Sequence, residues 1–160
     1  MVAQYEIYQN KDKIMYLHKE RVLSRETLYH RDSSEVARDI RSLLHDDLFS
    51  VENVYGFYYD IRCGLLGVSC ISVGNSNAAP IEMKRVFQVA ILCNAHHVII
   101  VHNHPRGDCS PSKEDISLTE RVVKAGNLLG ISVVDHIVMG KEEAYSTMFH
   151  HKIKLKEEFE

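Results

Sequence analysis

The chain has no tryptophan, three prolines, and no apolar run near the roughly 18 residues that a membrane-spanning helix needs. Its start, MVAQYEIYQNKDK, lacks the basic, then apolar, then small-residue order of a secretory signal. Its four cysteines, Cys63, Cys70, Cys93 and Cys109, include no C-x-x-C pair, so neither a zinc ribbon nor a disulfide framework is expected. Reduced thiols and a cytoplasmic location are the corresponding expectation. A dominant charge is missing too: 19 Lys and Arg against 22 Asp and Glu give a net charge of -3, which removes any global attraction to nucleic acid. There is no internal repeat or low-complexity segment. What is present, 45% hydrophobic residues over 160 positions, suffices for the core of one domain.

Periodicity then orders the chain. Residues 3–8 and 13–23 read as strands about a polar break, the second equally readable as an irregular arm. Val36, Ile40, Leu43 and Leu44 fall at helical spacing behind Ser33 and Ser34, which predicts a helix over 34–45 capped by those serines. Segments 51–60 and 65–74 form an expected hairpin about Ile61-Arg62-Cys63-Gly64. Met83, Val86, Phe87, Ala90 and Ile91 predict an amphipathic helix over 81–94. The continuous core Val98-Ile99-Ile100-Val101 of HHVIIVHNH (96–104) predicts a strand buried on both faces and ended by Pro105. A helix over 112–129 closed by Gly130 follows, then strands over 131–140 and 144–149. The charged end, 150–160, is expected to be loosely held.

Chemistry concentrates at the end of the central strand. Residues two apart on a strand share a face about 7 Å apart along the backbone, so His102 and His104 can converge on one ion. Asp115, eleven residues past His104 in the first turn of the next helix, can be folded back toward them. Three such ligands with an open fourth position are the pattern of a catalytic zinc site. The competing role is a helix cap, because Ser112 and Asp115 also fit a side-chain cap with an acidic N3 residue. The upstream H-x-H tips the balance toward metal.

The longer string carries the specificity. His102-Asn103-His104-Pro105, six residues, Ser112, two residues and Asp115 resembles the signature of the JAMM (JAB1/MPN) metalloprotease superfamily at every position. The text around it, from NAHHVIIVHNHP to VVDHIVMG, is similar to the RadC-like branch, and the resemblance covers about residues 35 to 149. It implies an α/β fold: a single MPN/JAB-like domain over 33–149, with a mixed β-sheet flanked by helices. Residues 1–32 would be an N-terminal extension packed on or beside it, and 150–160 a charged tail. It further implies one Zn2+ on His102, His104 and Asp115 and hydrolysis of a peptide or isopeptide bond. In the superfamily a glutamate at the start of an earlier strand handles the proton. That position falls here on Glu52, with Glu35 and Glu82 as competitors. Zinc would bring the pKa of a bound water toward about 7; Glu52 would take its proton and pass it to the leaving amine, and the Ser112 hydroxyl would stabilise the oxyanion.

Three departures qualify the resemblance. Too little sequence precedes residue 34 for the N-terminal helical module of longer RadC proteins. The loop HPRGDCSPS has Arg106 where serine is usual and Cys109 where proline is usual, and Cys109 is readable either as an inhibitory thiolate or as a small hydrophobe. Gly74-Asn75-Ser76-Asn77 is a variant of a Gly-Thr-Leu-Asn-like loop. Asp135 and His136 also match the RadC-like pattern, as a carboxylate orienting a ligand imidazole or as a buried structural pair. His18, His30, His45, His150 and His151 read as surface residues, and His96 and His97 lie at the far end of the strand.

The expected partner is an unnamed peptide or protein substrate, with a homo-oligomer left open. The alternatives are a non-catalytic MPN-type interaction scaffold and, by the RadC resemblance alone, a DNA repair-associated factor. Metallo-β-lactamase chemistry lacks its H-x-H-x-D-H run, and zinc deaminase chemistry lacks an H-x-E with P-C-x-x-C.

Overall fold

Burial of Val98–Val101 on both faces requires a sheet covered on both sides, and the chain supplies one. The computed structural model describes residues 1–30, 32–44, 51–74 and 82–155. Strands β1 (Val2–Gln9), β2 (Met15–Ser24), β3 (Asn53–Tyr59), β4 (Leu65–Val73), β5 (His97–Asn103), β6 (Ser132–Met139), β7 (Glu143–Ser146) and β8 (His151–Lys154) form one sheet. Its order is β2-β1-β4-β3-β5-β6-β7-β8, and it is mixed, with β1–β4 and β5–β6 parallel and the other neighbours antiparallel. The α/β expectation of a mixed sheet flanked by helices is met.

Helix α1 (Ser33–Leu43) packs Val36, Ala37 and Ile40 against Tyr55, Phe57, Ile99, Val101 and Ile137 on one face. Helices α2 (Met83–Leu92) and α3 (Lys113–Leu129) cover the other, where Val86, Phe87 and Val122 meet Val54, Tyr58, Val98 and Ile100. The helical periods seen in the sequence therefore point where they must, one apolar stripe per helix toward the sheet. The cap of α1 differs from expectation. Asp32, not a serine, accepts from the backbone N–H of Ser34 and Glu35, while Ser33 turns inward to donate to Asp135 at 2.5 Å.

Both ends of the chain join the sheet. The 13–23 segment is a strand, β2, rather than an arm. Within the 150–160 segment expected to be a loose tail, of which 156–160 lie outside the described residues, His151–Lys154 form β8 against β7, with Ile153 and Leu155 buried in the α1-side core. Its alternation of Lys152 and Lys154 with Ile153 is a short strand pattern that its overall charge hides. Among the described residues, no helix is long and apolar enough to cross a membrane.

One irregularity shapes everything near β5. Val98 pairs with Val133 but Ile99 pairs with Asp135, so β6 carries one extra residue, Val134, as a bulge. Val133 faces α3, whereas after the bulge Ile137 and Met139 face α1. The bulge reverses which side each later residue of β6 presents.

Candidate metal centre

Strand alternation puts His102 on the α3 face with Ile100, and Asn103 on the α1 face with Val101. His104 lies one residue past β5, held in line by its N–H to the Met139 carbonyl at 2.9 Å. The chain then reverses through Gly107 at φ 92, a left-handed conformation that favours glycine, and the Gly107 carbonyl accepts from Lys141 N–H at 2.9 Å. Gly140 makes that approach possible, since a Cβ there would lie 2.5 Å from the Gly107 oxygen. The loop returns Ser112 to the N-cap of α3 and Asp115 to its first turn.

Both roles weighed for Asp115 are realised at once. Ser112 and Asp115 form a reciprocal capping box, with Asp115 N–H to Ser112 Oγ at 3.1 Å and Ser112 N–H to Asp115 Oδ2 at 2.7 Å. The same carboxylate faces the histidines: Oδ1 is 3.4 Å from His102 Nε2, Oδ2 is 3.7 Å from His104 Nε2, and the two Nε2 atoms are 3.0 Å apart. Ligands about 2.1 Å from a tetrahedral zinc lie about 3.4 Å from one another. One ligand atom from each of the three residues lies within 4.8 Å of the others, so this donor set could hold a metal ion. His102 is sealed at 2% side-chain exposure, while His104 at 20% and Asp115 at 15% leave one open side.

The remaining ring nitrogens fix the tautomers. His104 Nδ1 lies 3.0 Å from the Asp108 carbonyl, which can only accept, so its proton sits on Nδ1 and Nε2 presents a lone pair. His102 is set from further away. Thr119 Oγ1 donates to the Asp115 carbonyl at 2.7 Å and so must accept from His136 Nδ1, also at 2.7 Å. His136 Nε2 is then left to accept from His102 Nδ1 at 2.8 Å, which frees His102 Nε2 for a cation. Burial, and then the neighbouring His102, push the His136 pKa down to about 3, so this relay is neutral. In the metal-free chain burial raises the Asp115 carboxyl, but contacts with the protonated forms of His102 and His104 and with the Ser112 hydroxyl outweigh it and hold Asp115 far below the carboxylate range. His104 is raised, first by its hydrogen bond with Asp115.

Residues 30–153 match the RadC-like JAB domain. The chain belongs to this family. Among curated relatives, a UPF0758 protein of Methanococcoides burtonii is 40% identical over 119 residues, covering 68% of this chain and 52% of the relative. Another from Alkaliphilus metalliredigens is 49% identical over 110 residues, 68% of this chain and 47% of the relative. A third, from Thermotoga maritima, is 44% identical over 87 residues, 54% and 39% of the two chains. The chain spans about half the length of the curated relatives it matches.

Other expected residues of this RadC-like domain separate cleanly. Glu52 immediately precedes β3, and continuing the register Val54↔His102 puts it opposite His104, on the histidines' face and close enough to act on the His104 charge. Glu35 starts α1 on the opposite face, and Glu82 is an exposed N-cap of α2. Ser112 reaches the site, but its hydroxyl donates to Asp115 Oδ2 at 2.7 Å. Cys109 is buried in the loop, outside the three-donor group, and burial first raises its thiol pKa. Asp135 and His136 are neighbours with separate partners: Asp135 holds Ser33, and His136 holds His102. His30 is not a surface residue; it is buried between Tyr59 Oη at 2.8 Å and Asp39 at 2.9 Å. His45 and Asn75–Asn77 lie outside the described residues. Thr119 was missed, and only its spacing of four from Asp115 on one helix face could have signalled it.

Proposed function

We propose that this domain is a zinc-dependent hydrolase of peptide or isopeptide bonds. The observation that carries the proposal is the donor set His102, His104 and Asp115, whose ligand atoms lie within 4.8 Å of one another with both imidazoles oriented by the hydrogen bonds on their other nitrogens. Bound zinc supplies Lewis acidity at a reacting carbonyl and makes water a usable nucleophile at neutral pH. Glu52 takes the proton released in the attack and returns it to the leaving amine. Ser112 turns its hydroxyl from Asp115 Oδ2 toward the oxyanion as the tetrahedral centre forms. The exposed side of His104 and Asp115 is where a substrate approaches, and the buried His102 sets the depth of the site.

The test has two arms. Protein purified without added metal should contain about one zinc per chain, and His104→Ala should lose it; unchanged zinc in that variant sinks the site. In an unbiased peptide-library digest, Glu52→Gln should keep its zinc and lose turnover by about a hundredfold or more. If the unmodified protein cleaves nothing, the domain is a scaffold rather than an enzyme.

A further inference from the structure

Glu52 sits at a strand end, where a backbone is free to drift unless something outside the ladder restrains it. Asn103 provides the restraint. It lies between the two histidines but points to the other face of the sheet, is fully buried, and reaches across to the segment that carries Glu52. Its Oδ1 accepts from Asn53 N–H at 2.8 Å and its Nδ2 donates to the Val51 carbonyl at 2.9 Å. The two partners also fix the amide's orientation, because a backbone N–H can only donate and a carbonyl can only accept. The one peptide atom between these contacts that could still swing, the Glu52 carbonyl, is taken by Gly74 N–H at 2.8 Å from β4. The backbone of Glu52 is thus gripped before, at and after the residue, and only its side chain is left to move.

We infer that Asn103 is a positioning residue that sets Glu52 against the metal-facing histidines, so that one tripeptide both offers two imidazoles on one face and locates the base from the other. No aliphatic residue at position 103 can do this, since the contact needs a donor and an acceptor about 2 Å apart on one rigid plane. Aspartate supplies the acceptor but sets a second oxygen against the Val51 carbonyl, and serine is too short to span both groups. The inference rests on Glu52 being the base.

Asn103→Ala and the isosteric Asn103→Asp are compared with Glu52→Gln and with the double variant Asn103→Ala/Glu52→Gln. Zinc content should stay at the unmodified level in all four. Exchange of the Asn53 amide, measured by NMR on metal-free protein, should accelerate at least about tenfold in Asn103→Ala. On the best-cleaved peptide of the library, kcat should fall about a hundredfold in Asn103→Ala and about tenfold in Asn103→Asp, with KM little changed. The double variant should be no slower than Glu52→Gln alone, which a general loss of packing would not produce. Wild-type kcat in Asn103→Ala, or losses that multiply in the double variant, overturn the inference while leaving Glu52 as the base. Full turnover in Glu52→Gln overturns the reading beneath it.

Discussion

Asp135 and His136 are adjacent in sequence and both buried, yet they serve opposite faces of the sheet. On the α1 face, Asp135 gathers donors from three parts of the chain: Ser33 Oγ, and the backbone N–H groups of His136 at 2.7 Å and Met148 at 3.2 Å. It ties α1 and the segment after β7 to β6. On the α3 face, the His136 side chain makes two hydrogen bonds among the described residues, and both lead to the candidate metal donors, one through His102 and one through Thr119 to Asp115. One residue organises tertiary structure and the next orients the candidate metal donors, and the boundary between the tasks is the plane of the sheet.

Substitutions can test that division. Asp135→Ala should have the largest effect, because it strands three donors in a dry environment, at about 1 kcal/mol or more apiece. A loss near 3 kcal/mol in denaturant unfolding is expected with zinc stoichiometry intact; lost zinc at unchanged stability would reverse the assignment of the faces. His136→Leu should act the other way round, lowering zinc affinity about 10- to 100-fold in competition with a chelator, as removal of the partner of a ligand histidine does. An unchanged zinc affinity would show that the tautomer relay is dispensable.

An effect spread over several pH units should appear in metal-free protein. His136 is held neutral when folded, with a pKa near 3, whereas the unfolded chain takes up this proton near the ordinary 6.5. Its contribution to stability is complete above 6.5 and is lost as pH falls toward 3, by up to about 1.4 kcal/mol per pH unit. His104, raised by Asp115, works in the opposite sense and stabilises the fold below its elevated pKa. Subtracting the unfolding profile of His136→Leu from that of the parent isolates the His136 part; a flat difference over this window would refute it.

How legible this was in the sequence follows from the range of the interactions. The H-x-H pair is a period-two fact, and the capping box a period-three one, so spacing makes His102, His104, Ser112 and Asp115 candidates, and the resemblance of the longer string to the JAMM signature singles them out. The helices, the hairpin and the central strand rest on local periodicity and stand within a few residues of where it put them. Asn103, Thr119 and the separate partners of Asp135 and His136 depend on which strand lies beside which and in what register. No local pattern marks a bulge at Val134, and without the bulge the faces of Asp135 and His136 would be exchanged. The 150–155 stretch was misjudged for a related reason: two apolar positions, Ile153 and Leu155, alternating with lysines carry a strand only if β7 is there to receive it.

The supernumerary Val134 makes the centre's integrity a matter of counting. Its side chain joins neither hydrophobic core and is 37% exposed, so exchanging it for another residue should change little. Excising it would close the bulge with Ile99 still opposite Asp135 and Ile100 still opposite His136, so both side chains would keep their faces; drawing Val134 into the regular ladder is what would rotate the imidazole away from His102 and bring a carboxylate in its stead. Such a strand can absorb a changed or even a dropped residue at position 134, provided that the one-step offset between Val133 and Asp135 is kept.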